Sequence, residues 1–294
     1  MKMFAAMLLL GIATVCSGNA YGQQNPPRTP PPSVLDKIAD DLYVIRGEGG
    51  NTTVYLTDQG VVLVDPKYDR NHDDIVAKVK SLTDKPVRYI INTHSHGDHT
   101  SGNALFAPAI VIGHRKIREQ MLAGKQPGAP ELTFDDRMSV NLGGKEIVAL
   151  HLGACHTSGD TFVYFPAARV LAAGDCFNTG NGDGVNLTGS STFSFYMDYR
   201  NGGTMLGKMK VGDAALKIDF NTVVPGHGPL TDRAAFVRWR SDIDTLSARL
   251  RTTIAAGKTK DEITDMLVSE FGWERNGFTM RGSLDGIIAE LKQP

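Results

Sequence analysis

The chain has 294 residues, 41% of them hydrophobic, with 31 basic and 32 acidic side chains and a net charge of −1. That is enough apolar material for one large domain or two small ones. The near-balanced charge, with no block of lysine and arginine anywhere, argues against a nucleic-acid surface, and three cysteines are too few for a disulfide scaffold.

The opening stretch, MKMFAAMLLLGIATVCSGNAYG, joins an early lysine, an apolar run from Met3 to Val15, and small residues ahead of Tyr21 and Gln23. This is the pattern of a secretory signal over residues 1–22, too short for a permanent membrane span, and it predicts a periplasmic or secreted protein. Cys16 offers a lipid-anchored alternative, against which the bulk of Val15 before it stands. Residues 23–33, QQNPPRTPPPS, cannot pack a core and predict an extended tether. The folded domain is expected over 34–294.

Within it, LYVIRG, NTTVYLTD and VVLVDPK alternate around a Gln59-Gly60 turn and predict a hairpin or meander. Ile75, Val76, Val79 and Leu82 recur at helical spacing behind Asp73 and Asp74, which predicts a helix over 72–82. VRYIIN reads as a buried strand, followed by a short helix over 101–106, a strand AIVIG, a helix HRKIREQMLAG and a polar loop over 125–130. Strands are expected again at EIVALHL, TFVYFP and RVLAAGD. Residues 178–203 are rich in Gly, Asn and Ser but carry Phe193, Phe195, Tyr196 and Tyr199, and a loop of that length is often functional. A strand in NTVVPGHG and helices over 232–256, 259–270 and 283–292 close the chain. Strands interrupted by helices predict a layered α/β architecture.

Three of the eight histidines, and an aspartate, fall within six residues of THSHGDHTSGN. Along an extended loop, residues two apart point the same way, so His94, His96 and Asp98 can converge while His99 turns to a neighbouring direction. One loop can then feed two adjacent metal positions, whereas crowded imidazoles without a metal would repel on protonation. Zinc takes about four ligands at about 2.0–2.2 Å, so more must come from elsewhere. His156 in HLGACHTSGDT, Asp175 in VLAAGDCF and His227 in VVPGHGPL each sit where an apolar strand yields to a glycine-containing turn. His72, His114 and His151 repeat no ligand spacing and read as helix-terminus or strand residues.

The ordered set HSHGDH, GACHTSGD, AAGDCF and VVPGHGP resembles the metallo-β-lactamase superfamily from about residue 34 to residue 227. The resemblance implies a four-layer αββα sandwich with a two-metal cleft along one edge and the C-terminal helices as its closing layer. It also implies that His94, His96 and His156 hold one metal, that Asp98, His99 and His227 hold the second, and that Asp175 bridges them. Asp65 is expected behind the ligands as a hydrogen-bond acceptor. Imidazole and carboxylate donors suit zinc, although iron and manganese accept them too. His96, where oxygen-reducing diiron members carry glutamate, favours hydrolysis and two Zn2+ per chain.

A pair of zinc ions lowers the pKa of a bound water from about 16 towards about 7, giving a hydroxide that Asp98 could orient as well as help to bind. The expected reaction is hydrolysis of an ester, thioester, lactone or cyclic amide in a small-molecule substrate. A β-lactamase is one alternative, weakened because many of those enzymes carry cysteine where this chain has Asp175, and Cys176 is one position off. A mononuclear-iron persulfide dioxygenase and a non-catalytic metal-binding protein are the other classes. Glyoxalase-II-like thioesterases share the bridging aspartate, but their basic cluster is not found, and Arg233, Arg238 and Arg240 read as a solvated helix face. The aromatics of 178–203 form either an apolar wall beside the metals or pins that hold the loop. Cys155 and Cys176 each adjoin an expected ligand and are expected to face one another, as a disulfide or a buried thiol pair.

Overall fold

The computed structural model describes residues 32–180 and 195–292. The expected signal, most of the tether and Phe193 lie outside the described residues. One sheet begins as an antiparallel meander of β1 (Val34–Ala39), β2 (Leu42–Arg46), β3 (Thr52–Thr57) and β4 (Gly60–Val64). It continues in parallel through β5 (Val87–Ile91), β6 (Ile110–His114) and β7 (Leu132–Phe134). The second sheet runs from β8 (Arg137–Leu142) through β9 (Lys145–Leu150), β10 (Phe162–Phe165), β11 (Val170–Ala172) and β12 (Thr222–Val224) to β13 (Thr231–Asp232). Only β11 and β12 pair in parallel in that sheet.

The pleat explains the layering. In β4, Val62 and Val64 point between the sheets, where they pack with Tyr55 and Ile91 against Val140, Ile147, Val163, Phe165 and Ala172. Val61 and Leu63 point the other way, towards Ile75 and Val79 of α1 (His72–Leu82). Both faces are covered, so the strand reads in sequence as one unbroken apolar run. Beyond the second sheet, Phe162, Leu171 and Val223 pack under α4 (Met205–Ala215), α5 (Arg233–Ala255), α6 (Lys260–Phe271) and α7 (Phe278–Leu291), through Phe236, Trp239, Leu284 and Ile287. The order helix, sheet, sheet, helix is the expected αββα sandwich.

Several elements depart from the expectation. β1 is an edge strand with no fully buried residue, and its Asp36 and Lys37 break the apolar signal. α4 carries Gly207 and Gly212 together with a wholly buried Lys208, which weakens its helical signature. Gly207 is required by packing, because a Cβ there would stand 2.2 Å from the carbonyl oxygen of Ala154. α7 begins at Phe278, five residues before the expected start. On α5, two arginines are anchors rather than a solvated face. Arg240 pairs with Asp213 and Asp244, while Arg233 donates to the carbonyls of Leu216 and Ile218 and lies over the Phe220 ring. Among the described residues, no helix is long and apolar enough to cross a membrane.

Candidate metal centre

The strands of both sheets end along one edge of the sandwich, and their C-terminal turns carry the chemistry. Asp65 follows β4, His94 and His96 follow β5, Asp175 follows β11, and His227 follows β12. His156 lies in the connection from β9 to β10. All seven residues expected as ligands come together here. The extended geometry expected for the histidine loop holds only as far as His96, whose φ and ψ are −68° and 145°. The chain then turns into α2 (Gly97–Thr100), so that Asp98 and His99 project from a helical turn. A helical turn moves successive side chains by about 100°, which brings His99 to His227 while its ring stays 4.2 Å from that of His94, so that Asp65, His94 and His99 form a further close group.

The ligand atoms of His94, His96 and His156 form one group within 4.8 Å of one another, and those of Asp98, His99 and His227 form another. His96 Nδ1 lies 3.0 Å from His156 Nε2. In the second group, His227 Nε2 lies 3.2 Å from both His99 Nε2 and Asp98 Oδ2. Asp175 stands between the groups, with Oδ1 3.2 Å from His99 Nε2 and Oδ2 3.7 Å from His156 Nε2. Donors about 2.0–2.1 Å from a tetrahedral zinc ion stand about 3.3 Å apart, so these separations suit a shared cation.

The surrounding hydrogen bonds fix which nitrogen of each ring faces inward. His96 Nε2 is 2.9 Å from Asp198 Oδ2, and His156 Nδ1 is 3.2 Å from the carbonyl of Tyr196. A carboxylate and a carbonyl can only accept, so the outer nitrogens carry the protons, and in neutral rings the inner ones are bare lone pairs facing each other. His99 Nδ1 is held in the same way by Asp65 Oδ2 at 2.8 Å, and Asp65 also accepts from the Thr93 amide and hydroxyl. Asp65 therefore stands behind His99, in the acceptor position expected of it. His94 Nε2 is buried with no hydrogen-bond partner, an arrangement that costs about 1–3 kcal/mol unless something else satisfies it. Gly50 seats the His99 ring, because a Cβ there would fall 2.2 Å from its Cε1.

The two groups differ in charge. Burial pulls His156 down to about 3 and takes His94 well below the ordinary imidazole range, so both rings are neutral donors. On the other side burial is overcome. Asp98, Asp175 and Asp65 hold His99 well above its ordinary range, and Asp175 and Asp98 raise His227 to about 9. The same imidazoles hold Asp98 and Asp175 below the usual carboxylate range, against burial. A cation entering this side displaces protons from His99 and His227. Asp98 and His96 are the part-exposed members of the cluster, so solvent reaches it across them.

Several residues that matter here carried no local signal in the sequence. Asp198 lies in the long irregular segment, whose length was its only flag. Residues 195–199 of it are pinned from behind. Ser283 of α7 bonds both the amide and the carbonyl of Met197, Tyr199 donates to Glu290, and Phe195 stacks on Trp273. Phe195 and Tyr199 are therefore pins rather than an apolar wall, while Tyr196 packs edge-on to His156. Lys208, drawn down to about 8 by burial, donates to the Tyr196 carbonyl. Lys67, drawn down to about 7 by burial, donates to the carbonyl of Gly50. Cys155 and Cys176 are joined as a disulfide, which ties the His156 turn to the Asp175 turn. His114 and His151 stack on each other at 3.9 Å, and His72 lies on α1, all outside the two groups.

Residues 45–227 match the family model of the metallo-beta-lactamase superfamily. The 2,4-dinitroanisole O-demethylase subunit alpha of Nocardioides sp. (strain JS1661) is 28% identical over 196 residues, which cover 65% of this chain and 55% of that relative. A metallo-beta-lactamase type 2 of Bacillus sp. (strain 170) is 28% identical over 209 residues, 67% of this chain and 74% of the relative. The crystal structure of DIM-1 metallo-beta-lactamase superposes with a TM-score of 0.62 at 18% identity, covering 74% of this chain and 99% of that one.

Proposed function

Since the chain belongs to the metallo-beta-lactamase superfamily, we propose that it is a secreted or periplasmic zinc-dependent hydrolase that cleaves an ester, thioester, lactone or cyclic amide in a small molecule. The observation that carries this reading is the pair of inward-facing nitrogens on His96 and His156, 3.0 Å apart, with the outer nitrogen of each ring fixed from behind by an acceptor. Two nitrogens held at that distance need a proton or a metal ion between them, and the acceptors behind both rings already hold a proton on the outer side. His94, His96 and His156 are assigned to one zinc and Asp98, His99 and His227 to the other, with Asp175 between them.

When bound, a pair of zinc ions supplies Lewis acidity and makes water nucleophilic at neutral pH. The chain's own residues do the rest. Asp98 is the part-exposed carboxylate of the cluster, its Oδ2 turned to His227, and it is placed to accept a hydrogen bond from the attacking water and orient it. Asp65 and Asp198 keep the His99 and His96 rings in one tautomer and one orientation. The burial of His94, His99, His156 and His227 excludes bulk water from the inner side of the cluster.

A β-lactam is one such cyclic amide, and the Bacillus relative bears on it directly through its name. The test is elemental analysis of the purified mature protein, followed by turnover of a chromogenic cephalosporin, a lactone panel and a thioester panel. About two zinc per chain with cleavage of one of these classes is expected, and the ranking of rates decides between a β-lactamase and another hydrolase. One iron per chain, or metal without hydrolysis, would overturn the reading in favour of a dioxygenase or a non-catalytic protein.

A further inference from the structure

A cleft of about 430 Å³ opens against the outer edge of His96, with Ser95, Gln120, Gln126 and Asn201 among its lining. Among the described residues, its only lining carboxylate, Glu119, is paired with Lys116 and Arg115, and no lysine or arginine lines it. The wall is held in place by hydrogen bonds. The Gln120 amide accepts from Ser95 Oγ at 2.7 Å and donates to Ser158 Oγ at 3.1 Å and to the Asn201 carbonyl at 2.9 Å. Asn201 Nδ2 donates to Asp198 Oδ2 at 2.6 Å, which leaves Asn201 Oδ1 as an acceptor. The Gln126 amide meets the Thr100 hydroxyl through one atom, at 3.1 Å, so its other polar atom is left for a ligand.

Resting on the hydrolase reading, we infer that this cleft is a subsite for an uncharged hydrogen-bonding group of the substrate, a carboxamide or peptide-like unit appended to the scissile carbonyl. An amide offers both a donor and an acceptor and so can use Asn201 Oδ1 together with the Gln126 amide. A carboxylate brings acceptors only and meets no lysine or arginine among the described residues that line the cleft, so its charge is desolvated there without a partner. The cleft ends on His96, so a substrate whose reacting carbonyl lies at the His/Asp cluster can lay this appended group along Gln120 and Gln126. The site thus selects against anionic appendages even though its chemistry would tolerate them.

The test uses the zinc-loaded full chain and three aryl esters that differ only in a terminal methyl, carboxamide or carboxylate group. The carboxamide is expected to exceed the carboxylate in kcat/KM by about tenfold, mostly through KM, as one or two hydrogen bonds allow. Gln126→Lys is expected to shift the carboxamide-to-carboxylate ratio by about tenfold towards the carboxylate. Gln126→Ala lowers the carboxamide preference without that reversal, and Lys258→Ala, in the turn between α5 and α6, leaves the ratio as in the wild type. Circular dichroism of each variant reports on its folding. Cleavage of the methyl ester with no carboxamide preference, or with a ratio indifferent to Gln126→Lys in a folded variant, would overturn the subsite and leave the hydrolase reading standing. Failure to cleave any of the three esters or the lactone and thioester panels would overturn both.

Discussion

Asp198 Oδ2 sits 2.9 Å from His96 Nε2 and thereby decides which nitrogen of that ring faces His156. The residue touches neither group of the cluster through an inward atom, yet the first group has its geometry because of it. Replacing Asp198 with alanine frees the ring to rotate and to change tautomer. Zinc affinity at this group is expected to fall about 10- to 100-fold, as when an acceptor behind a ligand is lost. Competition with a chromogenic chelator reads this directly, and unchanged affinity would show that something else orients His96.

Asp175 is the one residue assigned to both zinc ions, so the two groups can be emptied separately even though the His94 and His99 rings adjoin. His227→Ala removes a donor that stands 3.2 Å from Asp98 and from His99 and leaves His94, His96 and His156 intact. About one zinc per chain is expected to remain after desalting, against about two in the wild type. Asp175→Asn, which touches both sides, should weaken both. Elemental analysis of the two variants distinguishes these outcomes, and a His227→Ala protein that still holds two zinc would remove His227 from the site.

The fold was legible wherever a strand is buried on both faces. VVLV reads as a continuous apolar run because both faces of its strand are covered, whereas VRYII is fully buried only at Ile90 and Ile91 and carries the exposed Arg88. The cluster was legible because its residue types are rare and their glycine turns are local. Asp198 was not, because an aspartate in a Gly- and Asn-rich stretch looks like any turn residue, and its partner His96 is 102 positions away. α4 was hidden for a related reason. Its glycines and buried lysine answer to distant neighbours, Ala154 and Tyr196, that no local window contains.

His114 lies outside the cluster and gives a clean pH signature. It caps α3 (Arg115–Ala123) by accepting from the Lys116 amide, and it stacks on His151. Burial, reinforced by His151 and Arg115, pulls it down to about 4. A folded-state pKa below the unfolded value of about 6.5 means that its contribution is complete above pH 6.5 and is lost as pH falls towards 4. Asparagine at this position offers a side-chain oxygen in place of the capping Nδ1 and does not titrate. Between pH 7 and pH 4.5 the wild type should lose about 1–2 kcal/mol more than His114→Asn. Parallel unfolding curves for the two proteins across that range would contradict the assignment.

Gly207→Ala sets two effects against each other. Within a helix, alanine is favoured over glycine by about 1 kcal/mol. Here the new Cβ meets a backbone oxygen, Ala154 O, at 2.2 Å, and no rotamer change can relieve that contact. Either α4 or the 154–156 turn must move, at an overpacking cost of up to about 3 kcal/mol, so the clash wins and the net loss should be about 2 kcal/mol. The direction of relief matters as much as its size, because Ala154 is two residues from His156. A lowered Tm accompanied by weaker zinc binding is expected if the turn yields, and a lowered Tm alone if α4 does. A raised Tm would mean that α4 does not approach Ala154 closely, and the helix would then lose its role in seating His156.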